Sequence, residues 1–341
     1  MDKLITFAIP SYNSGAFMHN CIDSILGAGD DIEILIINDG SKDNTGEVAD
    51  RYAAEYPDIV RAIHQENGGH GEGVNQGMRN ARGLYYKVVD SDDRLDPEEL
   101  QKFLTRLREM VAAGEGADMY VCNYVYVRVD TGVRRSMNYK NIFPREQTCT
   151  WEDTHHFGPS QYLMMHSVVY RTALLREHNI ELPKHTFYVD NLYMYAPFPY
   201  VESIYYMDLD LYLYYVGGDE QSVSEKNMVK RIDQQILVTK LMVECHDLNA
   251  LKQPRPRLYR YMMHELSMMF IICDSFLALG GTKEHIAKKK ELWAHLKKHD
   301  RRTYRKLRHE SLAGFTALPG PLGRRFTVRA YKIARRHFQF N

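Results

Sequence analysis

Four carboxylates, Asp90, Asp92, Asp93 and Asp96, fall within seven residues directly after an apolar run that ends at Val89. Like charges crowded this closely repel unless a cation sits among them. Carboxylate oxygens are hard ligands, so the cation such a cluster suits is Mg2+ or Mn2+ rather than a soft metal. In an extended chain Asp90 and Asp92 share one face, where they could hold a divalent cation that in turn holds a diphosphate. Asp96 reads differently. It stands before Pro97, with Glu98 and Glu99 behind it, which predicts the N-cap, the first helical position and the first turn of a helix. An acidic loop that merely caps this helix is the alternative for the whole cluster, but capping requires only one of these groups.

Neighbouring elements must hold such a turn in place. Residues 4–10 read as a buried strand ending at Pro10, and the turn after it opens a helix over 16–26. Residues 31–40 are the near-continuous apolar strand of a parallel sheet covered on both faces, with Asn38, Asp39, Gly40 and Ser41 at its end. A helix over 45–56, a strand over 60–64, a glycine-rich loop over 67–73, a helix over 75–81 and a strand over 85–89 follow. Strands alternate with helices, and polar loops sit at the strands' carboxyl ends. The pattern predicts an α/β fold with a doubly wound, mostly parallel sheet and a ligand site outside those ends.

After a helix over 97–112, strands over 119–129 and 133–139 flank Asp130-Thr131-Gly132 as a hairpin, so the sheet becomes mixed. A helix over 171–178, an aromatic helix after Asp190, a strand over 205–215 and a flexible loop over 217–224 come next. The rest reads as a helical extension, with helices over 229–247, 258–279 and 283–309, a Gly/Pro linker over 313–323 and a basic helix over 324–340. The division expected is residues 1–225 and 226–341.

At 341 residues and 44% hydrophobic content, the chain can bury a large core. Its five cysteines are scattered without a Cys-x-x-Cys pair, which excludes a disulfide framework or zinc site and fits a reducing cytoplasm. The N-terminus runs straight into a strand pattern without a signal-peptide core. The most apolar run, 262–279, is interrupted by His264, Glu265 and Asp274 and reads as a buried helix. Net charge is zero but uneven: residues 283–341 hold seventeen Lys/Arg against four Asp/Glu, and the remainder 27 against 40. The tail is a basic appendage on an acidic body.

The glycine loop has neither the position of a dinucleotide fingerprint nor the Gly-Lys-Ser/Thr of a P-loop, and no Gly-x-Ser-x-Gly elbow supports a hydrolase. Four stretches in order, Ile9-Pro-Ser-Tyr-Asn13, Ile37-Asn-Asp-Gly-Ser-Lys-Asp43, Glu66-Asn-Gly-Gly to Asn75-Gln-Gly77 and Val89-Asp-Ser-Asp-Asp93, resemble the inverting family 2 glycosyltransferases of GT-A fold. The similarity continues through Val189-Asp190 and on to Ser222-Val-Ser224.

That resemblance implies a GT-A catalytic domain using a nucleotide-diphosphate sugar and Mg2+ or Mn2+. It places Pro10, Ser11 and Tyr12 around the nucleotide and Asp39 at the base. Because uracil offers an N–H, UDP sugars are the preferred donors. Asp90, Ser91 and Asp92 then lie at the diphosphate, with Asp90 and Asp92 on the metal. Asn75 belongs to the donor site. An arginine usual in the glycine loop is missing here, and His70 or Arg79 stands in for it. Asp190 matches the general base, although Val189 replaces the usual glutamate before it; N-capping of a helix starting at Asn191 is the alternative. The acceptor is a carbohydrate, free or lipid-linked, and no nucleic acid is expected among the partners. A sugar-phosphate nucleotidyltransferase and a non-catalytic glycan- or nucleotide-binding module are the competing functions. The basic last helix, with Phe326, Ala330, Ile333, Ala334 and Phe338 on one face, either lies on the anionic inner face of a membrane or packs on the acidic body.

Overall fold

The structure, a computed structural model, describes residues 3–158, 161–217 and 225–338, and side chains as far as Arg335. The loop expected over 217–224 therefore lies almost wholly outside the described residues, as do the side chains of Arg336 and Phe338. Two compact units divide the chain, one made of Met1–His155 with Leu163–Gly218, the other of His156–Tyr162 with Asp219–Asn341.

In the first unit β1 (Lys3–Ser11), α1 (Met18–Asp23), β2 (Ile32–Asp39), α2 (Thr45–Glu55), β3 (Val60–Gln65), α3 (His70–Asn80) and β4 (Gly83–Val88) form the alternating half. Every residue of β2 is buried, as its unbroken apolar pattern requires for a strand covered on both faces. β1 lies between β2 and β4, parallel to both, with Pro10 opposite Ile37 and Ala8 opposite Val88. β3 extends the parallel set beyond β2. This register brings the ends of three strands, and the loops carrying Ser11, Asp39 and Asp90, to one edge.

Then come β5 (Arg94–Leu95), α4 (Pro97–Ala112), β6 (Met119–Val121), β7 (Tyr124–Arg128), β8 (Arg134–Met137), β9 (Thr148–Cys149), β10 (Val168–Arg171), α5 (Thr172–Glu177), α6 (Asp190–Tyr195), β11 (Ile204–Tyr206) and β12 (Tyr212–Val216). Asp96 caps α4 as its position predicts, accepting from the amides of Glu98 (3.1 Å) and Glu99 (3.2 Å). The main sheet has the order β3-β2-β1-β4-β10-β6-β11-β9, mixed beyond β4, where β10 is antiparallel to its neighbours. A second sheet runs β5-β12-β7-β8.

Two strands expected as single pieces are each broken between the sheets. The 119–129 stretch leaves the main sheet as β6 and enters the second as β7; 205–215 does the same as β11 and β12. Asn123 fixes the crossing: its amide donates to Asp208 and Asp210 (3.0 Å each) and accepts from the Tyr206 hydroxyl (2.8 Å). The hairpin itself stands, with β7 antiparallel to β8 and Gly132 at φ 68° in its turn.

The second unit is helical: α7 (Glu225–Lys230), α8 (Ile232–Glu244), α9 (Leu248–Leu251), α10 (Pro256–Gly280), α11 (Lys283–His299), α12 (Arg301–Glu310), α13 (Ala313–Thr316) and α14 (Gly320–Phe338). Phe157 stacks on Tyr261 of α10 with centroids 4.0 Å apart, which ties the 156–162 segment to this unit. By length and composition the 25-residue α10 could cross a membrane, but most of it is buried inside the unit. Its Asp274 is fully buried and accepts from Trp293 Nε1 (3.2 Å) and Thr316 Oγ1 (3.0 Å). The single helix expected over 283–309 is two, because Asp300 turns outward and caps α12 by accepting from the amides of Arg302 and Thr303. The expected linker likewise contains α13, and α14 begins at Gly320.

Candidate active site

At the carboxyl end of β4 the chain turns instead of extending. The Asp93 amide donates to the Asp90 carbonyl (3.0 Å), so Asp90 is brought beside Asp93, three residues on, and Asp92 points to solvent. Asp93 is 1% exposed and anchored to the second sheet: Oδ2 accepts from the Tyr212 hydroxyl (2.7 Å) and Oδ1 from the Tyr215 amide (2.8 Å). The Asp90 amide in turn donates to the Tyr212 oxygen (3.1 Å). The chain turns at Ser91 and Asp92, so Asp90 and Asp92 do not lie on one face of an extended strand. The ligand atoms that gather within 4.8 Å of one another belong to Asp90, Asp93 and His166.

His166 precedes β10 and was not anticipated. It is buried, stacks on Tyr212 (centroids 4.5 Å apart) and leans on Tyr214 (4.3 Å). Burial pushes its pKa down to about 4, which leaves the ring neutral. Its Nδ1 has no hydrogen-bond partner and lies 4.0 Å from Asp90 Oδ2. Lys87, buried in β4, fixes the segment by donating to the carbonyls of His166 (2.8 Å) and Val168 (3.3 Å); burial brings its own pKa down to about 8.

The cluster carries more negative charge than its surroundings answer. Burial, then the charges of Asp90 and Asp92, raise the Asp93 pKa well above the carboxylate range. Partial desolvation and the charge on Asp90 push Asp92 up to about 6, although the residue is exposed. Burial also opposes ionisation of Asp90, but a 3.0 Å hydrogen bond from His70 Nε2 and the histidine's charge outweigh it and hold Asp90 below its ordinary value. Two carboxylates offer the hard oxygens that suit Mn2+ or Mg2+, and a buried imidazole nitrogen without a hydrogen-bond partner lies beside them.

The glycine stretch belongs to this arrangement as a helix start, not as the loop expected over 67–73. α3 begins at His70 and carries it to Asp90; Gly69 precedes it at φ 80°. A Cβ on Gly69 would stand 3.0 Å from the Cα of His185, and one on Gly71 would stand 2.8 Å from the Pro183 carbonyl. The missing side chains let the 183–189 segment pack down, with the His185 amide donating to the Gly68 carbonyl (2.6 Å). That segment leads to Asp190, the first residue of α6. Asp190 does not cap its helix: Val189 holds the N-cap position, without a side-chain bond. Burial raises its pKa, opposed by the charge of His70 and assisted by that of Asp90, so it is within electrostatic reach of both. Tyr214 and Tyr126, with ring centroids 5.5 Å apart, continue the aromatic wall from His166.

Several residues expected at the donor are committed elsewhere. Asp39 accepts four hydrogen bonds, from Gln65 Nε2 (2.6 Å) and the Gly68 amide (2.7 Å) on Oδ1 and from Asn67 Nδ2 (3.1 Å) and the Gly69 amide (2.8 Å) on Oδ2. A carboxylate offers about four such positions, and all four are occupied here, two by backbone amides and two by side chains. Asn75 is buried and clamped to Leu182, donating to its carbonyl and accepting from its amide at 2.9 Å each. Arg79 pairs with Glu72 (3.0 Å) and Glu181 (2.6 Å) in the last turn of α3. At 1.5 Å of rise per residue that is roughly 13 Å along the helix from His70, so of the two proposed stand-ins only His70 is at the cluster. The Ser91 hydroxyl bonds that of Ser14 (2.8 Å) and ties the carboxylate turn to the loop after β1. Pro10 and Ser11 are buried at the end of β1, and Tyr12 beyond them is half exposed. His155 and His156 are exposed.

Asp93 was present in the acidic run, and an i, i+3 turn in place of an extended chain would have selected it. His166 carried a weaker signal: one imidazole within an otherwise apolar run from Leu163 to Tyr170, broken only by Ser167.

Residues 6–172 match the family model described as glycosyl transferase family 2. The chain is 35% identical over 126 residues to the glycosyltransferase GlyG of Streptococcus pneumoniae, covering 36% of this chain and 40% of that one. It spans well under half the length of the first curated relatives it matches. It is 28% identical over 245 residues to the uncharacterized glycosyltransferase YibD of Escherichia coli, 70% of each chain. Among solved structures, residues 1–349 of S. aureus TarS in complex with UDP-GlcNAc share the fold, with a TM-score of 0.64 at 18% identity over 99% of this chain and 93% of that one.

Proposed function

We propose that this chain, a member of glycosyltransferase family 2 through its residues 6–172 and of GT-A fold, moves one sugar from a nucleotide-diphosphate donor to a hydroxyl of a carbohydrate, free or lipid-linked, with inversion at the anomeric carbon. A UDP sugar is the preferred donor, supported by the UDP-GlcNAc held by TarS, and the setting is cytoplasmic synthesis of a cell-surface polysaccharide. The observation that carries the reading is the carboxylate turn Asp90–Asp93, answered by His70 and electrostatically coupled to Asp190.

Asp90, Asp93 and His166 would hold the divalent cation, with Asp92 on the solvent side of the same turn. When bound there, the cation supplies positive charge against the negative charge that develops on the departing diphosphate. Against burial, the hydrogen bond and charge of Asp90 raise the pKa of His70 and so favour its charged form at the first turn of α3, where the helix dipole favours the same anion. Pro10, Ser11 and Tyr12 border the nucleotide, and Asp39 acts through the 65–69 loop it holds. Asp190 takes the proton of the attacking hydroxyl; its raised pKa makes it a stronger base than an exposed aspartate.

A thermal-shift screen of UDP, GDP and CDP sugars with Mn2+, followed by an assay for released nucleoside diphosphate, tests the assignment. A ligand that binds the folded state must raise its stability. No shift and no release with any nucleotide sugar would overturn the glycosyltransferase reading, and an undiminished response in excess chelator would remove the metal from it.

A further inference from the structure

The outward face of α14, with α13 beside it, has an organisation that glycosyl transfer does not use. α14 docks on its own unit through Gly323, Thr327 and Tyr331. Thr327 is fully buried and donates to the Gly323 carbonyl (3.0 Å), and the Tyr331 ring meets Phe276 of α10 with centroids 5.4 Å apart. The opposite face holds Leu322, Phe326 and Ile333, spaced four and seven residues apart and therefore in line along one side of the helix. All three are exposed, Leu322 to 78% and Ile333 to 65%. Phe315 of α13, 58% exposed, stands 6.4 Å from Phe326 between ring centroids, and Leu312 and Leu318 are exposed nearby.

The basic residues of α14 divide the same way. Arg324 donates to the Ala278 carbonyl (2.8 Å) and Arg335 pairs with Glu225 (2.8 Å). Arg325, Arg329 and Lys332 are exposed on the side of the apolar line, and none joins an ion pair among the described residues. An exposed apolar strip bordered by cations on a helix that is already docked by its other face is complementary to a surface with an anionic outer layer and an apolar interior.

We propose that the Leu322–Phe326–Ile333 face of α14, with Phe315 of α13, is a binding surface for an anionic lipid bilayer, on which the protein lies without spanning it. Apolar side chains enter the headgroup boundary while Arg325, Arg329 and Lys332 meet lipid phosphates. The long aliphatic stem of Arg329 lets it lie within the strip and keep its guanidinium at the interface. The surface stands apart from the catalytic assignment and is tested without turnover.

The full chain is sedimented with vesicles of phosphatidylglycerol and phosphatidylcholine mixed, and of phosphatidylcholine alone. Compared with it are a triple variant Leu322→Ser, Phe326→Ser, Ile333→Ser and a triple variant Arg325→Gln, Arg329→Gln, Lys332→Gln, each first checked for an unchanged melting temperature. Binding to the anionic vesicles is expected to fall with added salt and to weaken about tenfold or more in either variant. The proposal is overturned if the wild-type chain stays in the supernatant at low salt, or if the serine variant binds as wild type does. Dimerisation abolished by the serine variant, without vesicle binding, would assign the strip to a second copy of the chain and also overturn it.

Discussion

Asn75→Ala separates a donor contact from a structural clamp. The side chain is 2% exposed, and its amide satisfies both the N–H and the C=O of Leu182. Alanine leaves two buried backbone groups without partners, each costing about 1–3 kcal/mol, less about 0.5 kcal/mol returned by the better helix propensity of alanine. A net loss of about 3 kcal/mol follows, which in a unit of this size lowers the melting temperature by about 6–12 °C. The function lost should be specific. Leu182 begins the segment that packs on Gly69 and Gly71 and delivers Asp190, so kcat should fall by about tenfold or more as the base moves. The donor touches none of these atoms in the proposed arrangement, so its KM should stay within about twofold. Differential scanning fluorimetry with steady-state kinetics under varied donor measures both. A variant that melts with the wild type but binds donor poorly would return Asn75 to the nucleotide sugar and refute the clamp.

Asp190→Asn should lower turnover by about 10²–10⁴-fold, the usual contribution of a general base, with donor affinity little changed; a variant that loses donor binding instead would place Asp190 on the donor side, and a product retaining the donor's anomeric configuration would exclude the single displacement. Glu265 in α10 is buried, and burial pushes its pKa up to about 8 against a hydrogen bond from Tyr261 that lowers it. The folded state thus holds this proton more tightly than the unfolded chain, and the stability it contributes is fully present below about pH 4.5, the ordinary glutamate value, and lost as pH rises through about 8. Glu265→Gln should flatten the decline of melting temperature between these limits and melt above the wild type at pH 8; parallel curves would show that Glu265 does not titrate in that window.

The alternating half of the fold was legible because its strands are long, apolar and separated by amphipathic helices, and the predicted ranges of β2, α2 and α4 lie within two residues of those observed. The breaks at Cys122 and Met207 were marked only by Asn123, Asp208 and Asp210, types depleted in strands, within runs that otherwise read as strand, and what divides them is a long-range hydrogen-bond set around Asn123. The one-helix reading of 283–309 failed for a more local reason. Asp300 was visible as a capping residue, but its neighbours on both sides favour helix, and periodicity alone does not decide between a helix that passes through an aspartate and two that meet there.

The site shows the same division between what spacing reveals and what only three dimensions reveal. Polar residues at strand ends were read as ligand contacts because polar groups at such positions commonly are. Three residues expected at the donor, Asp39, Asn75 and Ser91, have their hydrogen bonds taken by backbone or side chains of neighbouring loops. A loop that must present charge to a ligand cannot be held by an apolar core alone, because its backbone amides and carbonyls need partners wherever they leave solvent. Buried carboxylates and amides provide those partners, and each takes up the donors or acceptors of a segment whose exposed end carries Asp90, Asp92, His70 or Asp190. Sequence spacing therefore located the loops correctly but did not distinguish the residues that hold them from those that face outward. Hydrogen-bond counts separate the two: Asp39 and Asn75, whose polar atoms are taken by backbone groups, hold their loops, whereas Nδ1 of His166 is buried beside Asp90 with no hydrogen-bond partner.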